Sequence, residues 1–254
     1  MKLLLLFPAT YFVKTRLNTL KALIFHPYFE WVPVIMIMLL WKGFSITETA
    51  TNFLLCYGAF ISIYEIGYFA NDLFPSRFEK NHRKRTSDIQ FRSWYTVFFV
   101  LSRIGWFLFF TFYGGFNAIY EWWYFYALLV VVFSMHNLLP TPSYKWITFL
   151  SLSLMRFTAP VFIFLEDEFF IRLIVAAVLN YSLFRLVIYM ESKNILTIPN
   201  RRSSSFAFYF YLTIVPVNFF VAIIANDMLP LSFCIYYLLF CAFNFLLSKA
   251  RFSL

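Results

Sequence analysis

Long apolar stretches recur along most of this chain of 254 residues. A helix needs about 20 mainly apolar residues to cross the hydrocarbon core of a bilayer. The pattern therefore predicts an all-α fold: a polytopic membrane helix bundle of about eight transmembrane helices, which forms a single transmembrane domain over residues 1–254. The predicted spans are residues 28–46, 51–70, 94–115, 119–139, 145–165, 169–190, 206–225 and 228–248.

The composition supports a lipid bilayer as the surroundings of this chain. Its residues are 62% hydrophobic and 13% charged, whereas soluble domains are about 45–50% apolar and about 25% charged. Once the spans are assigned, no stretch remains that is long enough for a soluble domain. Residues 1–27 are predicted to be a retained N-terminal segment, cytoplasmic or interfacial, and residues 71–93 and 191–205 are the two motif-bearing cytoplasmic loops.

The basic residues predict the orientation of the spans. With both termini placed in the cytoplasm, the inside segments carry sixteen Lys and Arg residues and the outside segments carry two. Cytoplasmic loops of membrane proteins are enriched in this way, so we expect an integral protein of a bacterial inner membrane with both termini cytoplasmic. Topology explains most of the net charge of +9, and no nucleic-acid partner is predicted.

Four charged residues lie at least five positions from either end of a predicted span: Glu65, Arg103, Arg156 and Arg185. A charged side chain at the bilayer centre costs at least a few kcal/mol unless it is paired or hydrated. We expect these side chains to face a polar cavity in the bundle. Structural ion pairing is the alternative.

Acidic residues recur every seven positions where the second span meets the most basic loop. They are Glu65, Asp72 and Glu79, and Pro75 is expected to break or bend the helix between the last two. Carboxylate oxygens are the ligands that Mg²⁺ prefers, and Mg²⁺ usually takes one or two of them together with phosphate and water. Nearby Arg and Lys side chains bind further phosphate oxygens.

The segment NDLFPSRFE at residues 71–79 resembles the first Asp-rich motif, NDxxDxxxD, of the UbiA superfamily of intramembrane prenyltransferases. In that family a second acidic motif follows the sixth span, and Glu191 ends the sixth predicted span here. The chain departs from the family pattern at Pro75, which replaces the middle Asp, and at Glu79, which replaces the last one. The second motif keeps a single acid, and the family commonly has nine spans.

The resemblance implies Mg²⁺-dependent transfer from a polyprenyl diphosphate or related polyprenyl phosphate lipid to an acceptor that the sequence leaves unidentified. Asp72, Glu79 and Glu191 would be the catalytic and metal-binding residues. The other candidate substrate-binding residues are polar side chains in or near the two motifs: Asn71, Glu65, Arg77, Arg83, Arg85, Arg185, Lys193 and Arg201. The sequence does not predict an oligomeric state.

Two alternatives stay open. The basic stretch from Glu79 to Arg85 is similar to that of the family branch that transfers phosphoribose from a sugar diphosphate to polyprenyl phosphate. The second alternative is a non-catalytic protein, either one that only binds lipid phosphate or a transporter. Transporters often contain repeats with broken helices in both halves, and spans two and six both end in acidic residues here.

Overall fold

The computed structural model describes residues 6–17, 19–73, 93–199 and 203–252. Within these ranges the regular structure is helical, with no strand. The chain divides into two compact units, described separately below. The first comprises Met1–Thr148 and Met155–Phe164, and the second comprises Phe149–Leu154 and Leu165–Leu254.

Helix α4 is the central element of the first unit, in which it contacts α1, α3, α5 and α6. Its 28 residues extend over about 42 Å, and its start is fixed by reciprocal bonds between Ser45 and Glu48, in which each backbone N–H donates to the other side chain. The helices of this unit are α1 (Thr10–Arg16), α2 (Leu20–His26), α3 (Val32–Leu40), α4 (Ile46–Leu73), α5 (Ser93–Tyr113), α6 (Tyr120–Leu138) and α7 (Trp146–Thr158). Residues of α7 belong partly to the first unit and partly to the second.

A π-helical turn over Pro27–Trp31 joins α2 to α3, so the chain runs as one helix through these elements. Proline has no N–H to donate and clashes with the carbonyl four residues before it, which fits the wider turn that begins at Pro27. Such turns occur frequently at functional sites. This one carries the buried Glu30 one turn after the buried His26.

The second unit contains α8 (Asp167–Ala177), a π-helical turn (Val178–Ser182), α9 (Leu183–Ser192), α10 (Ser204–Ala225) and α11 (Leu229–Phe252). Helix α10 ends at Asn226, whose left-handed backbone conformation (φ 48°) closes the helix and turns the chain toward α11. The buried Asn180 lies in the π-helical turn. Its amide donates to the Asn218 side chain at 2.9 Å and to the Pro230 carbonyl at 3.1 Å, so it fastens α10 and α11 to this turn.

Six helical stretches in the described ranges are long and apolar enough to cross a membrane: Ala22–Leu40, Ile46–Leu73, Trp94–Tyr113, Asp167–Ser192, Ser204–Ala225 and Leu229–Lys249. They support a polytopic, all-helical membrane protein. The fourth and fifth predicted spans, which correspond to α6 and α7, are not among the six. Helix α7 has 13 residues and extends over about 20 Å, which is short of the hydrocarbon core of about 30 Å.

Close packing between α4 and α6 predicts the effect of enlarging Gly67. A Cβ atom at this position would lie 2.5 Å from the Phe133 ring, whereas one at Gly105 on α5 would meet no atom within 4 Å. We expect Gly67→Ala to lower the free energy of unfolding by about 1–3 kcal/mol because the ring must move. Gly105→Ala should leave it unchanged or raise it by up to about 1 kcal/mol. Unfolding of both variants in the same detergent measures the difference, and equal stabilities would contradict this packing.

Candidate functional site

Asp72 lies in the last turn of α4, and its carboxylate is held by two side chains of α1. The Tyr11 hydroxyl donates to Asp72 Oδ2 at 2.6 Å, and Arg16 Nη2 lies 3.0 and 3.2 Å from the two carboxylate oxygens. The aspartate is 7% exposed. The first acid of the motif therefore lies in a buried ion pair with the N-terminal segment.

Tyr11 supplies a proton to this arrangement. Burial, followed by the negative charge of Asp72, raises the pKa of the Tyr11 phenol well above its ordinary value. The hydroxyl therefore keeps its proton across the physiological pH range and acts as a donor to the carboxylate. Edge-on contacts with Phe69 and Phe99 hold the tyrosine ring in place.

Glu65 lies two turns before Asp72 on α4, and its side chain is fully buried. Its Oε2 lies 2.6 Å from Nε of Arg103 on α5, and its Oε1 accepts the backbone N–H of Phe12 at 2.6 Å. Leaving a buried charge without a partner costs several kcal/mol. The glutamate thus ties α5 and the N-terminal segment to α4.

The N-terminal segment has a second anchor on α5. The carbonyl oxygen of Leu6 accepts hydrogen bonds from Ser102 Oγ at 2.7 Å, Arg103 Nη1 at 2.7 Å and Trp106 Nε1 at 3.1 Å. Arg103 therefore bridges the Glu65 carboxylate and the Leu6 carbonyl. Since the bonds at Leu6 and Phe12 use backbone atoms, they hold the segment at these two positions whatever side chains stand there.

A second buried cluster surrounds Arg156, near the end of α7. Arg156 Nε donates to Glu30 Oε2 at 2.7 Å, and Nη1 donates to the Tyr68 hydroxyl at 2.6 Å. His26 Nδ1 lies 2.8 Å from Glu30 Oε1, so a proton on Nδ1 makes this contact a hydrogen bond. Each oxygen of Glu30 thus has a partner.

Tyr68 links this second cluster to Asp72. Its ring lies 4.4 Å from the guanidinium carbon of Arg16 and is stacked on Phe12 with an interplanar angle of 6°. The same tyrosine accepts a hydrogen bond from Arg156 through its hydroxyl. Cations are attracted to the faces of aromatic rings, so Tyr68 contacts one arginine with its face and another with its hydroxyl.

Ion pairing neutralises the buried carboxylates among the described residues of the first unit. Three carboxylates, Glu30, Glu65 and Asp72, lie against three arginines, Arg156, Arg103 and Arg16 respectively. The expectation that Glu65, Arg103 and Arg156 face a polar cavity is therefore wrong, and direct pairing is the reason. A cavity of about 200 Å³ lies instead beside Ala70, Ser134, Asn137 and Leu138.

The predicted site residues fall into three groups. Glu65, Asn71 and Asp72 lie on α4 in the first unit, whereas Arg185 and Glu191 on α9, and Lys193 directly after it, lie in the second unit. The remaining predicted residues lie outside the described residues: Arg77, Glu79, Arg83, Arg85 and Arg201. Within the described ranges, no group of three or more His, Cys, Asp or Glu side chains could hold a metal ion.

Sequence reasoning assigned no site role to five residues of these clusters: Tyr11, Arg16, His26, Glu30 and Tyr68. The charge count uses Arg16 only as a cytoplasmic charge and assigns no role to Tyr11, although Tyr11 and Thr15 are polar positions one helical turn apart. His26 and Glu30 are spaced i,i+4, which brings side chains together on a helix. That spacing, together with an acid inside an apolar stretch, is a signal that could have located the second cluster.

Comparison with known proteins identifies no relative. The chain matches no protein-family model, and no curated protein or solved structure is significantly similar to it.

The buried pair between Glu65 and Arg103 predicts strong coupling between these residues. We expect Glu65→Gln or Arg103→Gln alone to lower the free energy of unfolding by about 3–5 kcal/mol, because each leaves its partner charged and buried. The double variant should lose less than the sum of the two single losses, since neither charge then remains. Equilibrium unfolding in detergent micelles measures this double-mutant cycle.

The exposed pair of Arg172 and Glu168, one turn apart on α8, is the matched control. Glu168→Gln should change stability by less than about 1 kcal/mol, as is usual for surface pairs. Strictly additive losses for Glu65 and Arg103 would contradict the direct pairing.

Proposed function

We propose that this chain is a UbiA-type transferase of the membrane, which binds the phosphates of a polyprenyl diphosphate where α4 ends and transfers the prenyl group to an acceptor. The observation that carries this proposal is the position of Asp72. It is the first acid of the NDxxDxxxD-like segment, and it lies in the last turn of a 28-residue helix that is apolar enough to span a membrane. The end of a membrane-spanning helix lies near the membrane surface, which is where a lipid-linked phosphate has its charged group.

The proposal includes a magnesium ion that takes most of its ligands from the substrate. Mg²⁺ commonly binds one or two carboxylates together with phosphate oxygens and water, and Asp72 would supply one carboxylate in place of its contacts with Tyr11 and Arg16. When bound, Mg²⁺ would neutralise the charge of the departing diphosphate. Glu79 and Glu191 remain the predicted additional acidic residues of the reaction.

The residues around Asp72 would orient the lipid phosphate. Tyr11 and Arg16 both donate to the carboxylate, and these donors are also suited to phosphate oxygens. The proposal includes eight spans and a cytoplasmic location for this end of α4, in accordance with the excess of basic residues in the predicted inside segments. It also includes a bacterial inner membrane as the location.

One observation favours a second function, the binding of lipid phosphate without turnover. Asp72 already has a complete set of partners in Tyr11 and Arg16. If that pairing is permanent, Asp72 has a structural role and the end of α4 presents basic rather than acidic chemistry. Transfer activity separates these two functions.

Replacing Asp72 tests the proposal. In membranes that contain the protein, we expect incorporation of label from radiolabelled geranylgeranyl diphosphate into lipid products to depend on Mg²⁺. Asp72→Asn should lower this incorporation by at least roughly 100-fold, because a preorganised charge at the reacting group is lost. Radiolabelled phosphoribosyl diphosphate serves as the donor in a parallel reaction, which tests phosphoribosyl transfer.

Glu48→Gln is the matched control, since Glu48 is an acid at the other end of α4 that contacts Ser45. It should retain activity within about twofold. Undiminished transfer in Asp72→Asn would refute the role of Asp72. Mg²⁺-dependent binding of geranylgeranyl diphosphate with no incorporation from either donor would assign the chain to the non-catalytic function.

A further inference from the structure

Arg16 is buried, yet it uses only part of its hydrogen-bonding capacity. It is the last residue of α1, and its side chain is 9% exposed. Its contacts with Asp72 all come from one nitrogen, Nη2. A guanidinium has five N–H donors in a fixed plane, so most of its donors point elsewhere.

The other two nitrogens, Nε and Nη1, are buried and have no hydrogen-bond partner among the described residues. A buried donor without an acceptor has lost its hydration and gained no hydrogen bond, and the cost is larger when the group is charged. Native proteins rarely leave such groups without an acceptor, and an ion or water usually satisfies them. The free donors therefore indicate a ligand beside Arg16.

The orientation of the guanidinium is fixed before any ligand binds. Tyr68 lies against its face at 4.4 Å from the guanidinium carbon, and the ring of Tyr68 is itself held by Phe12 and by the hydrogen bond from Arg156. Asp72 holds Nη2. Less rotational freedom is then lost on binding, which favours affinity.

We propose that Arg16 is a phosphate-binding residue, in which an N–H that Asp72 leaves free, at Nε or Nη1, donates to an oxygen of a phosphate group beside Asp72. Charged arginine N–H groups form strong hydrogen bonds with phosphate oxygens, and further phosphate oxygens remain for a cation at Asp72. The identification of the anion as phosphate rests on the proposed function. The assignment of Arg16 as a phosphate-binding residue is new, since neither the motif resemblance nor the positive-inside pattern assigns Arg16 to a site.

The charge of Asp72 sets the conditions of binding. A phosphate beside Arg16 also lies near this carboxylate, so like charges repel unless a cation is present. Binding of phosphate to Arg16 should therefore be stronger with Mg²⁺ than without it.

Binding to the full chain in detergent micelles tests this inference. The probes are geranylgeranyl diphosphate, inorganic pyrophosphate and geranylgeraniol, each titrated with and without Mg²⁺ and measured by calorimetry. Arg16→Gln should weaken binding of geranylgeranyl diphosphate at least about tenfold, as expected for the loss of charge-assisted hydrogen bonds. Arg16→Lys should restore part of the affinity, because it keeps the charge and loses the planar fork.

Lys14→Gln is the matched control. Lys14 is an exposed residue of the same helix, and its substitution removes the same charge, so affinity should change by less than about twofold. If Lys14→Gln and Arg16→Gln weaken binding equally, general attraction to a basic surface explains it and the assignment of Arg16 is wrong.

Arg16→Gln leaves Asp72 without its cation, so the double variant Arg16→Gln/Asp72→Asn guards against misfolding. We expect this variant to unfold at nearly the temperature of the wild type and to bind no diphosphate. Binding of geranylgeranyl diphosphate by the double variant as tightly as by the wild type would overturn the inference.

The remaining outcomes show whether the phosphate is free or lipid-linked. They also distinguish this inference from the proposed transferase function. If geranylgeranyl diphosphate and pyrophosphate both require Arg16, the residue recognises the phosphate group itself, and a preference for the former shows that the lipid chain adds affinity. Arg16-dependent binding without transfer would support this inference and refute the transferase. Transfer with unchanged KM in Arg16→Gln would support the transferase and refute this inference.

Discussion

Burial of the Glu65 carboxylate within a long apolar helix is the constraint on which the first unit depends. A carboxylate in such surroundings must be paired and hydrogen-bonded. Arg103 from α5 and the backbone N–H of Phe12 meet that requirement, which places both α5 and the N-terminal segment against α4. Once Phe12 is fixed, Tyr11 and Arg16 reach Asp72 two turns further along α4.

Pairing of buried carboxylates with arginines also holds in the second cluster, and it determines what the proposed site can bind. Since each buried carboxylate among the described residues of the first unit lies against an arginine, the clusters carry almost no net charge while His26 is neutral. A free anion is then only weakly attracted to them. In the proposed function, the phosphate therefore binds together with a cation. The cation compensates the charge of Asp72, and the phosphate compensates the charge of Arg16.

The sequence was sufficient to predict an all-helical membrane protein, because apolar length reports directly on helices. It predicted that residues 71–93 form a loop, whereas α4 continues to Leu73 and carries both Glu65 and Asp72. It did not predict that α7 ends at Thr158, since the apolar character continues beyond that residue. It also did not predict the partners of Glu65, Asp72 and Glu30. Periodicity tells which face of a helix a residue occupies, whereas the choice of a distant arginine depends on how the helices pack.

The two acids of α4 differ in how easily their partners exchange, and this difference assigns their roles. Glu65 is fully enclosed and bonds to the backbone of Phe12, so displacing its partners requires the N-terminal segment to leave α4. Among the described residues, Asp72 is bound by side chains of one short helix, and Arg16 has donors at Nε and Nη1 without a described partner. An exchange of the partners of Asp72 therefore leaves the backbone contacts of the N-terminal segment in place. In the proposed function, Glu65 anchors the fold and Asp72 is the acid that exchanges its partners for a ligand.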